Sequence, residues 1–196
     1  MKNVFLVLFF TLSFIGCRTE DLLPPGGGND TTLSIAERYY PLQDGNSWVF
    51  TTDDEQLGIM KLDVRGAKTI NGKQYTIVEQ SSSIYRYAII PRYYRAEGEK
   101  VFQYDEDTKE ERVVIDFSSD EPTADQYRYY VTSRGEIATV PAGVFTVVST
   151  IAPATMYDGA PTQEFAENIG LVQTTFFRGR YKLHHAVING KKIGKQ

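Results

Sequence analysis

The sequence predicts a mainly β protein, with a single antiparallel, strongly curved sheet or half-open barrel of roughly ten strands and little helix. Three observations predict this class. Apolar and charged residues alternate in short segments such as 60–65, which places the apolar residues on one face. The links between these segments have hairpin length, and Asn71-Gly72 is a strong hairpin signal. No segment keeps a helical apolar period long enough to connect parallel strands.

Strands are expected one after another from residue 47 onward. Asp44-Gly45-Asn46 is typical of a turn before a strand that carries Trp48 into the core. Within the extended segments, Pro91 favours an edge or a bulge. The segment 154–168 is the least regular and is compatible with a short helical turn. The remaining expected strands are 60–65, 73–80, 83–95, 101–104, 112–117, 127–131, 144–151, 171–177 and 181–188.

The first residues have the pattern of an export signal. Lys2 supplies a positive charge, an apolar run follows over 4–15, and Gly16 precedes Cys17, the only cysteine. The run is shorter than the roughly 20 apolar residues that span a bilayer. We therefore expect a signal peptide at 1–16, which is removed from the mature protein. An ordinary secretory signal with an incidental cysteine is the alternative.

The end of this leader, Phe14-Ile15-Gly16-Cys17, resembles the lipobox of bacterial lipoproteins, with Phe where that family usually has Leu. The resemblance implies a diacylglycerol on Cys17 and cleavage just before it. Several acyl chains on one residue are sufficient for stable anchoring. The predicted location is the bacterial cell envelope, with a lipid anchor, in the outer membrane and in a leaflet that the sequence leaves open.

The predicted organisation has three parts: a signal peptide at 1–16, a lipidated cysteine with a flexible Pro/Gly-rich tether at 17–34, and a β domain at 35–196. The tether combines Pro24-Pro25 with three glycines and cannot bury a core. Glu20-Asp21 resembles the acidic surface-export signals of Bacteroidota-type lipoproteins, and a solvated acidic pair in a linker explains it equally well.

The domain itself resembles a loosely defined group of uncharacterised bacterial lipoproteins. That group pairs an early PL..GN.W.Y pattern with a later PAGTF and GLV, which correspond to 40–50, 140–145 and 166–172. Phe50 stands where the group has Tyr, and Val144 where it has Thr. The resemblance implies a Bacteroidota-type lipoprotein and an open β-cradle like that of the Lol-type lipoprotein carriers. It supplies no catalytic residues.

Composition and motifs argue against several function classes. The chain has 21 Lys and Arg against 25 Asp and Glu, which gives no electrostatic basis for binding nucleic acid. With Cys17 lipidated, no thiol remains for a disulfide, a nucleophile or a metal. The sequence has no G-x-S-x-G, H-E-x-x-H, P-loop or dinucleotide motif. We therefore expect a protein that is not an enzyme and has no cofactor, although two distant carboxylates could still converge.

No metal site is predicted. His184 and His185 are neighbours in an expected strand, where adjacent side chains point to opposite faces, so they could not chelate one metal without distortion. The acidic groups at 53–55 and 105–107 lack the ligand spacing of a calcium loop. Solvated hairpin turns explain them better.

Tyrosines next to arginines are the most unusual feature. Such residues can line a cavity for an amphipathic ligand, and the candidate ligand-binding residues are Tyr85, Tyr87, Tyr94, Tyr127 and Tyr129. The favoured alternative is an ordinary half-buried sheet face with Arg stacked on Tyr.

The predicted function is a non-catalytic binding module for an apolar or amphipathic ligand. A structural or interaction component of an envelope assembly is the alternative. The expected partners are the membrane, through the acyl chains on Cys17, and a hydrophobic small molecule or an envelope protein.

Overall fold

The structure is a computed structural model that describes residues 33–54, 57–84, 89–122, 124–125, 127–154, 160–176 and 179–194. The predicted signal peptide, Cys17 and nearly all of the tether lie outside the described residues, as do Tyr85 and Tyr87. All described residues belong to one compact unit that begins at Thr32.

The described residues form one short helix and twelve strands. In chain order these are α1 (Ile35–Tyr39), β1 (Ser47–Thr52), β2 (Met60–Ile70), β3 (Lys73–Ser82), β4 (Ile90–Glu97), β5 (Lys100–Asp105), β6 (Glu110–Asp116), β7 (Tyr129–Val140), β8 (Gly143–Ile151), β9 (Thr162–Ala166), β10 (Gly170–Phe176), β11 (Gly179–Ile188) and β12 (Lys191–Gly194).

The strands form a closed barrel. Each of the strands from β1 to β11 pairs with the next one along the chain, and β1 pairs with β11 to close the ring. The last strand, β12, adds to the end of β11. The predicted mainly β class with little helix is confirmed, and the barrel is closed where the sequence left a half-open sheet as an option.

One pair of neighbours departs from the antiparallel pattern. β6 and β7 are parallel, with Ile115 opposite Tyr129 and Asp116 opposite Tyr130. A parallel pair needs a long connection, because the chain must return before it can run in the same direction. The 12 residues between the end of β6 and the start of β7 are long enough for that return, and the sequence had suggested only a polar loop there.

Turn chemistry was predicted well, and two segments were not. Asn71 and Gly72 have φ angles of 49° and 76°, which the predicted hairpin turn requires. Of the expected strand over 83–95, residues 90–95 lie in β4, the described residues 83, 84 and 89 belong to no strand, and 85–88 lie outside the described residues. β9 lies where the sequence was compatible with a helical turn, since a closed barrel needs a strand between β8 and β10.

One end of the barrel, which we call the closed end, is plugged by α1. Ser34 caps this helix through a capping box with Glu37. The amide of Ala36 donates to the carbonyl of Gly98 at 3.0 Å. Trp48 lies in the core, as predicted, and its Nε1 donates to the carbonyl of Ile169 at 2.7 Å. The cavity beside Trp48 is only about 20 Å³, so the interior around this side chain is filled.

Candidate functional site

The opposite end of the barrel carries a cleft, which we call the mouth cleft. Its volume is about 390 Å³, within the size range of ligand pockets. β4 and β10 both contribute to it, although β3, β2, β1 and β11 lie between them around the ring. β2, β3 and β11 contribute as well, so the cleft follows the ends of neighbouring strands around this part of the barrel mouth. It is lined by Met60, Gln80, Ser81, Ser82, Ile90, Phe176 and Tyr181.

Exposed apolar side chains surround this cleft. Eight large hydrophobic side chains are strongly exposed among the described residues, and five of them lie at this end of the barrel. Isolated exposed hydrophobics are ordinary, but a contiguous group marks an interaction site. We call these five residues the apolar rim: Ile59, Ile84, Ile89, Ile90 and Phe176.

Hydrogen bonds hold the loops that carry the rim. The amide of Ile59 donates to Ser83 Oγ at 2.8 Å, and the amide of Ser83 donates to the carbonyl of Ile59 at 2.9 Å. The hydroxyl of Tyr181 donates to the carbonyl of Leu57 at 2.9 Å. These bonds tie the loop that carries Ile59 to the chain just after β3 and to β11, and so they position Ile59 and the neighbouring Ile84.

The cleft has an apolar base and a polar side. Met60 is buried at the base, and the amide nitrogen of Gln80 lies 3.5 Å from its sulfur. Phe176 and Tyr181 meet edge to face with ring centroids 6.3 Å apart. Ser81 and the serine after it supply hydroxyl groups. Among the lining residues that the structure describes there is no carboxylate, histidine or lysine. This surface suits an apolar chain with a few hydrogen-bonding groups.

The predicted tyrosines lie elsewhere in the barrel. Tyr94 packs inside against Tyr40, with ring centroids 5.5 Å apart. Burial raises the pKa of Tyr129 to about 12, and nearby Tyr94 adds to the rise, so these two candidates are close together. Tyr127 is exposed, and the Arg112 guanidinium lies 4.5 Å from its ring centroid. None of these three tyrosines lines the mouth cleft, and their role in ligand binding stays a prediction.

A second aromatic group lies on the outer face of the barrel. Tyr75, Tyr93 and Tyr104 are buried together there, and we call them the outer tyrosine cluster. Tyr75 and Tyr104 have ring centroids 5.7 Å apart. The Lys68 ammonium lies 4.7 Å from the ring centroid of Tyr93. In this cluster, tyrosines pair across strands beneath cationic side chains, as in the alternative that the sequence offered to a ligand site.

Glu111 is the ionic centre above this cluster. It accepts hydrogen bonds from the Tyr75 hydroxyl at 2.7 Å, from Arg95 Nε at 2.7 Å and from Lys73 Nζ at 2.6 Å. Burial raises the pKa of Glu111, but these three donors outweigh it and lower the pKa to about 2. The carboxylate therefore stays ionised and holds the charged cover in place.

The two histidines are closer than the sequence predicted. Val49 pairs with His185 and Phe50 with Leu183, so His184 is an extra residue in β11. Such a bulge turns neighbouring side chains toward each other. The two Nδ1 atoms lie 2.9 Å apart, and the prediction that the rings point to opposite faces is wrong. Burial, then His184, lower the pKa of His185.

The described residues contain neither a metal-binding cluster nor a membrane-spanning helix. No group of three or more His, Cys, Asp or Glu side chains in that part of the chain is arranged to hold a metal ion. Within the same residues, no helix has the length and apolarity needed to cross a bilayer.

Sequence reasoning missed the rim. A signal for part of it was available, because Ile89-Ile90-Pro91 puts two large apolar residues beside a proline at a strand boundary. Nothing in the sequence indicated that Ile59 and Phe176 would join them, since that depends on which strand ends meet at the mouth.

Comparisons with known proteins give the following. No protein-family profile and no curated protein matches this chain. Two crystal structures are similar to it. One, from Bacteroides fragilis, is provisionally described as an exported protein with a YmcC-like fold; it is 12% identical, with a TM-score of 0.49, over 76% of this chain and 98% of that one. The other, from Parabacteroides distasonis, is provisionally described as a lipoprotein; it is 14% identical, with a TM-score of 0.49, over 76% of this chain and 97% of that one. Likenesses at this level leave the export, lipidation and function of this chain as predictions.

Proposed function

We propose that this chain is an exported lipoprotein of the bacterial envelope whose barrel binds an apolar or amphipathic ligand at the mouth cleft, without catalysing a reaction. The observation that carries the proposal is the cleft of about 390 Å³ bordered by the apolar rim. A protein exposes a group of large apolar side chains at one end of a barrel at a cost in solubility, so their presence points to a ligand that covers them.

The chemistry of the lining supports a lipid or an acyl chain. Met60, Ile90 and Phe176 offer apolar contact, whereas Gln80 and the two serines offer hydrogen bonds on one side only. Ligand pockets commonly combine a mostly apolar surface with a few polar groups that fix orientation. The described lining residues include no acid–base pair for chemistry on the ligand, which is why we propose binding and not catalysis.

Native mass spectrometry of the mature protein, released from mild non-ionic detergent, tests this function. The expected result is a small apolar molecule bound at defined stoichiometry and lost on denaturation. Bare polypeptide in repeated preparations from the native envelope would contradict the proposal.

A pair of matched double variants locates the site. Ile89→Ser with Ile90→Ser removes two rim residues, whereas Ile137→Ser with Val144→Ser removes two side chains of similar exposure on β7 and β8. The rim variant is expected to lose the bound molecule and the β7–β8 variant to keep it. Equal retention by both variants would place the ligand elsewhere.

The lipid anchor is a separate part of the proposal. Growth with a tagged fatty acid should label the protein, and the Cys17→Ser variant should carry no label, because the thiol is the predicted attachment point. Fractionation of the envelope should then place the labelled protein in the outer membrane. A label that survives in the Cys17→Ser variant would show that another residue is modified.

An interaction component of an envelope assembly is the second candidate function. The filled interior beside Trp48 favours it, because a packed barrel has little room for a large ligand. The apolar rim would then contact another envelope protein. In-cell crosslinking from position 89 distinguishes the two, since a protein partner gives a discrete heavier band and a small ligand does not.

A further inference from the structure

Polar side chains converge on the inner face of the barrel next to the mouth cleft. Arg92 and Ile90 lie two residues apart on β4 and therefore point to the same face. Tyr94, two residues further, packs against the core, which identifies this face as the inner one. Gln103 on β5 lies opposite Tyr94 of β4 and opposite Arg112 of β6. Arg112 Nη2 donates to the side-chain oxygen of Gln103 at 3.4 Å. Ile90 lines the cleft, and Arg92 lies two residues further along β4, deeper in the barrel.

This group has more positive than negative charge. We call Arg92 and Arg112 the inner arginine pair. Asp105 Oδ2 lies 3.9 Å from Arg112 Nη2, and no carboxylate in the described part of the chain forms an ion pair with Arg92. Glu110 lies opposite Asp105 in the strand register, and its side chain is exposed at the start of β6.

The one carboxylate beside the pair is already occupied. Asp105 Oδ1 accepts from the amides of Asp107 at 2.9 Å and Thr108 at 3.2 Å. These amides, more than the arginines, lower the pKa of Asp105. Asp105 is therefore committed to its turn, and the inner arginine pair keeps donors to spare.

Two further observations indicate that this group of residues would bind an anion. The Nε of Arg112 is buried and has no hydrogen-bond partner among the described residues, although buried donors are normally paired. Arg92 lies two residues before Tyr94 on the same face of β4, and Arg112 lies two strands away opposite Gln103, the cross-strand partner of Tyr94. Burial raises the pKa of the Tyr94 phenol, and the positive charges of Arg92 and Arg112 act in the opposite direction. Two guanidinium groups beside a phenol form a donor set suited to a carboxylate or a phosphate.

We infer that the ligand of the mouth cleft is an amphiphile with one apolar chain and one anionic head group, a carboxylate or a phosphate. The head group lies toward Arg92 and Arg112, and the chain extends along Ile90 and Phe176 to the rim. Guanidinium groups bind both kinds of oxyanion through paired N–H donors. This inference rests on the proposed function and names its ligand class.

Photoreactive probes of one chain length test the head group on the unaltered mature protein. A fatty acid, an alkyl phosphate, a fatty alcohol and a fatty amine, each with a diazirine in the chain, are crosslinked to the protein in envelope membranes. The acid and the phosphate should label the peptides that hold Met60, Ile90 and Phe176 about tenfold more than the alcohol and the amine. The preference between acid and phosphate distinguishes a free fatty acid from a lipid phosphate.

Each outcome has a distinct meaning. If no probe labels these peptides, the proposed function fails together with the inference. If all four label them equally, binding at the cleft stands and the anionic head group is wrong. A preference for the amine would also overturn the inference.

Variants assign the preference to the inner arginine pair. Arg92→Met with Arg112→Met should remove the difference between acid and alcohol, because the two charges are lost. Arg65→Met is the matched control: its side chain is 56% exposed, and it lies on the outer face, two residues from an aspartate with which it pairs at 3.7 Å. The control should keep the difference. A preference that survives in the double variant, with its melting temperature unchanged, would contradict the assignment. Should the double variant not fold, Arg92→Met alone and the probe series still decide.

Discussion

The outer tyrosine cluster and the apolar rim are two apolar groups on one barrel, and only the cluster is covered. Its three tyrosines are between 2% and 8% exposed, whereas the five rim side chains are between 41% and 62% exposed. The cluster lies in the middle of paired strands, so Lys68, Arg95 and Glu111 on neighbouring positions can lie over it. The rim lies at strand ends and in loops, where the described cross-strand partners are uncharged: Ile90 pairs with Gln80 and Phe176 with Gly179.

This difference separates stability from function. Long charged side chains cover apolar surface with their aliphatic stems while their charges stay in water. The cluster therefore stabilises the fold without leaving an exposed apolar patch. The rim contributes little to the free energy of unfolding, because its side chains remain in solvent. An apolar group that folding leaves uncovered is the part of the molecule available to a ligand.

The largest expected effect contrasts one residue from each group. Tyr75→Ala should lower the free energy of unfolding by about 3 kcal/mol, because a buried aromatic ring and a hydrogen bond to Glu111 are lost. Phe176→Ala should lower it by about 1 kcal/mol or less, since the ring is half exposed. Urea unfolding measures both. Equal losses would show that the rim contributes to the fold as the cluster does.

The charged cover gives a pH-dependent effect of intermediate size. The folded-state pKa of Glu111 is about 2, against an ordinary value of 4.5, so its ionised form stabilises the fold above pH 4.5 and this contribution is lost as the pH falls toward 2. Glu111→Gln should cost about 2 kcal/mol at pH 7, less than the full shift implies because the side chain is partly solvated.

The matching measurement is urea unfolding of the two proteins from pH 7 to pH 2. The stability difference between the native protein and the glutamine variant should shrink through this range and vanish near pH 2. A difference that stays constant with pH would mean that the carboxylate charge does not hold the cover.

The smallest expected effect comes from uncovering the cluster. Lys68→Ser with Glu106→Ser removes an exposed ion pair of 2.8 Å and the cation above Tyr93. Stability should change little, because exposed ion pairs contribute little. Binding of an apolar fluorescent dye should rise slightly as ring surface becomes accessible. A large loss of stability would show that the pair does more than cover the ring.

Parts of the fold and of the site followed from the sequence because they depend on neighbouring residues. The alternation in 60–65 and the hairpin at Asn71-Gly72 are local, and the structure contains both. The capping box of Ser34 and Glu37 was equally local, and reading it would have predicted α1. The parallel contact of β6 with β7 is not local, because it depends on the path of the long connection between them.

The candidate site was predicted in kind but not in place. An apolar or amphipathic ligand was expected from the tyrosines, yet the mouth cleft uses Met60, Ile90 and Phe176, which are far apart in the chain. The histidines show the same limit. The two-residue repeat of a regular strand predicted that the side chains of His184 and His185 point to opposite faces. The bulge at His184 brings them together instead.

By itself the sequence determined the mainly β class, the hairpin turns and the export signal that it predicts, because strand alternation, turn residues and leaders act over a few positions. Only the tertiary structure decided that the sheet closes into a barrel, that one end is plugged by α1 while the other keeps an apolar rim, and that Arg92 and Arg112 share the inner face. These features depend on register and ring closure, which bring residues from distant strands together.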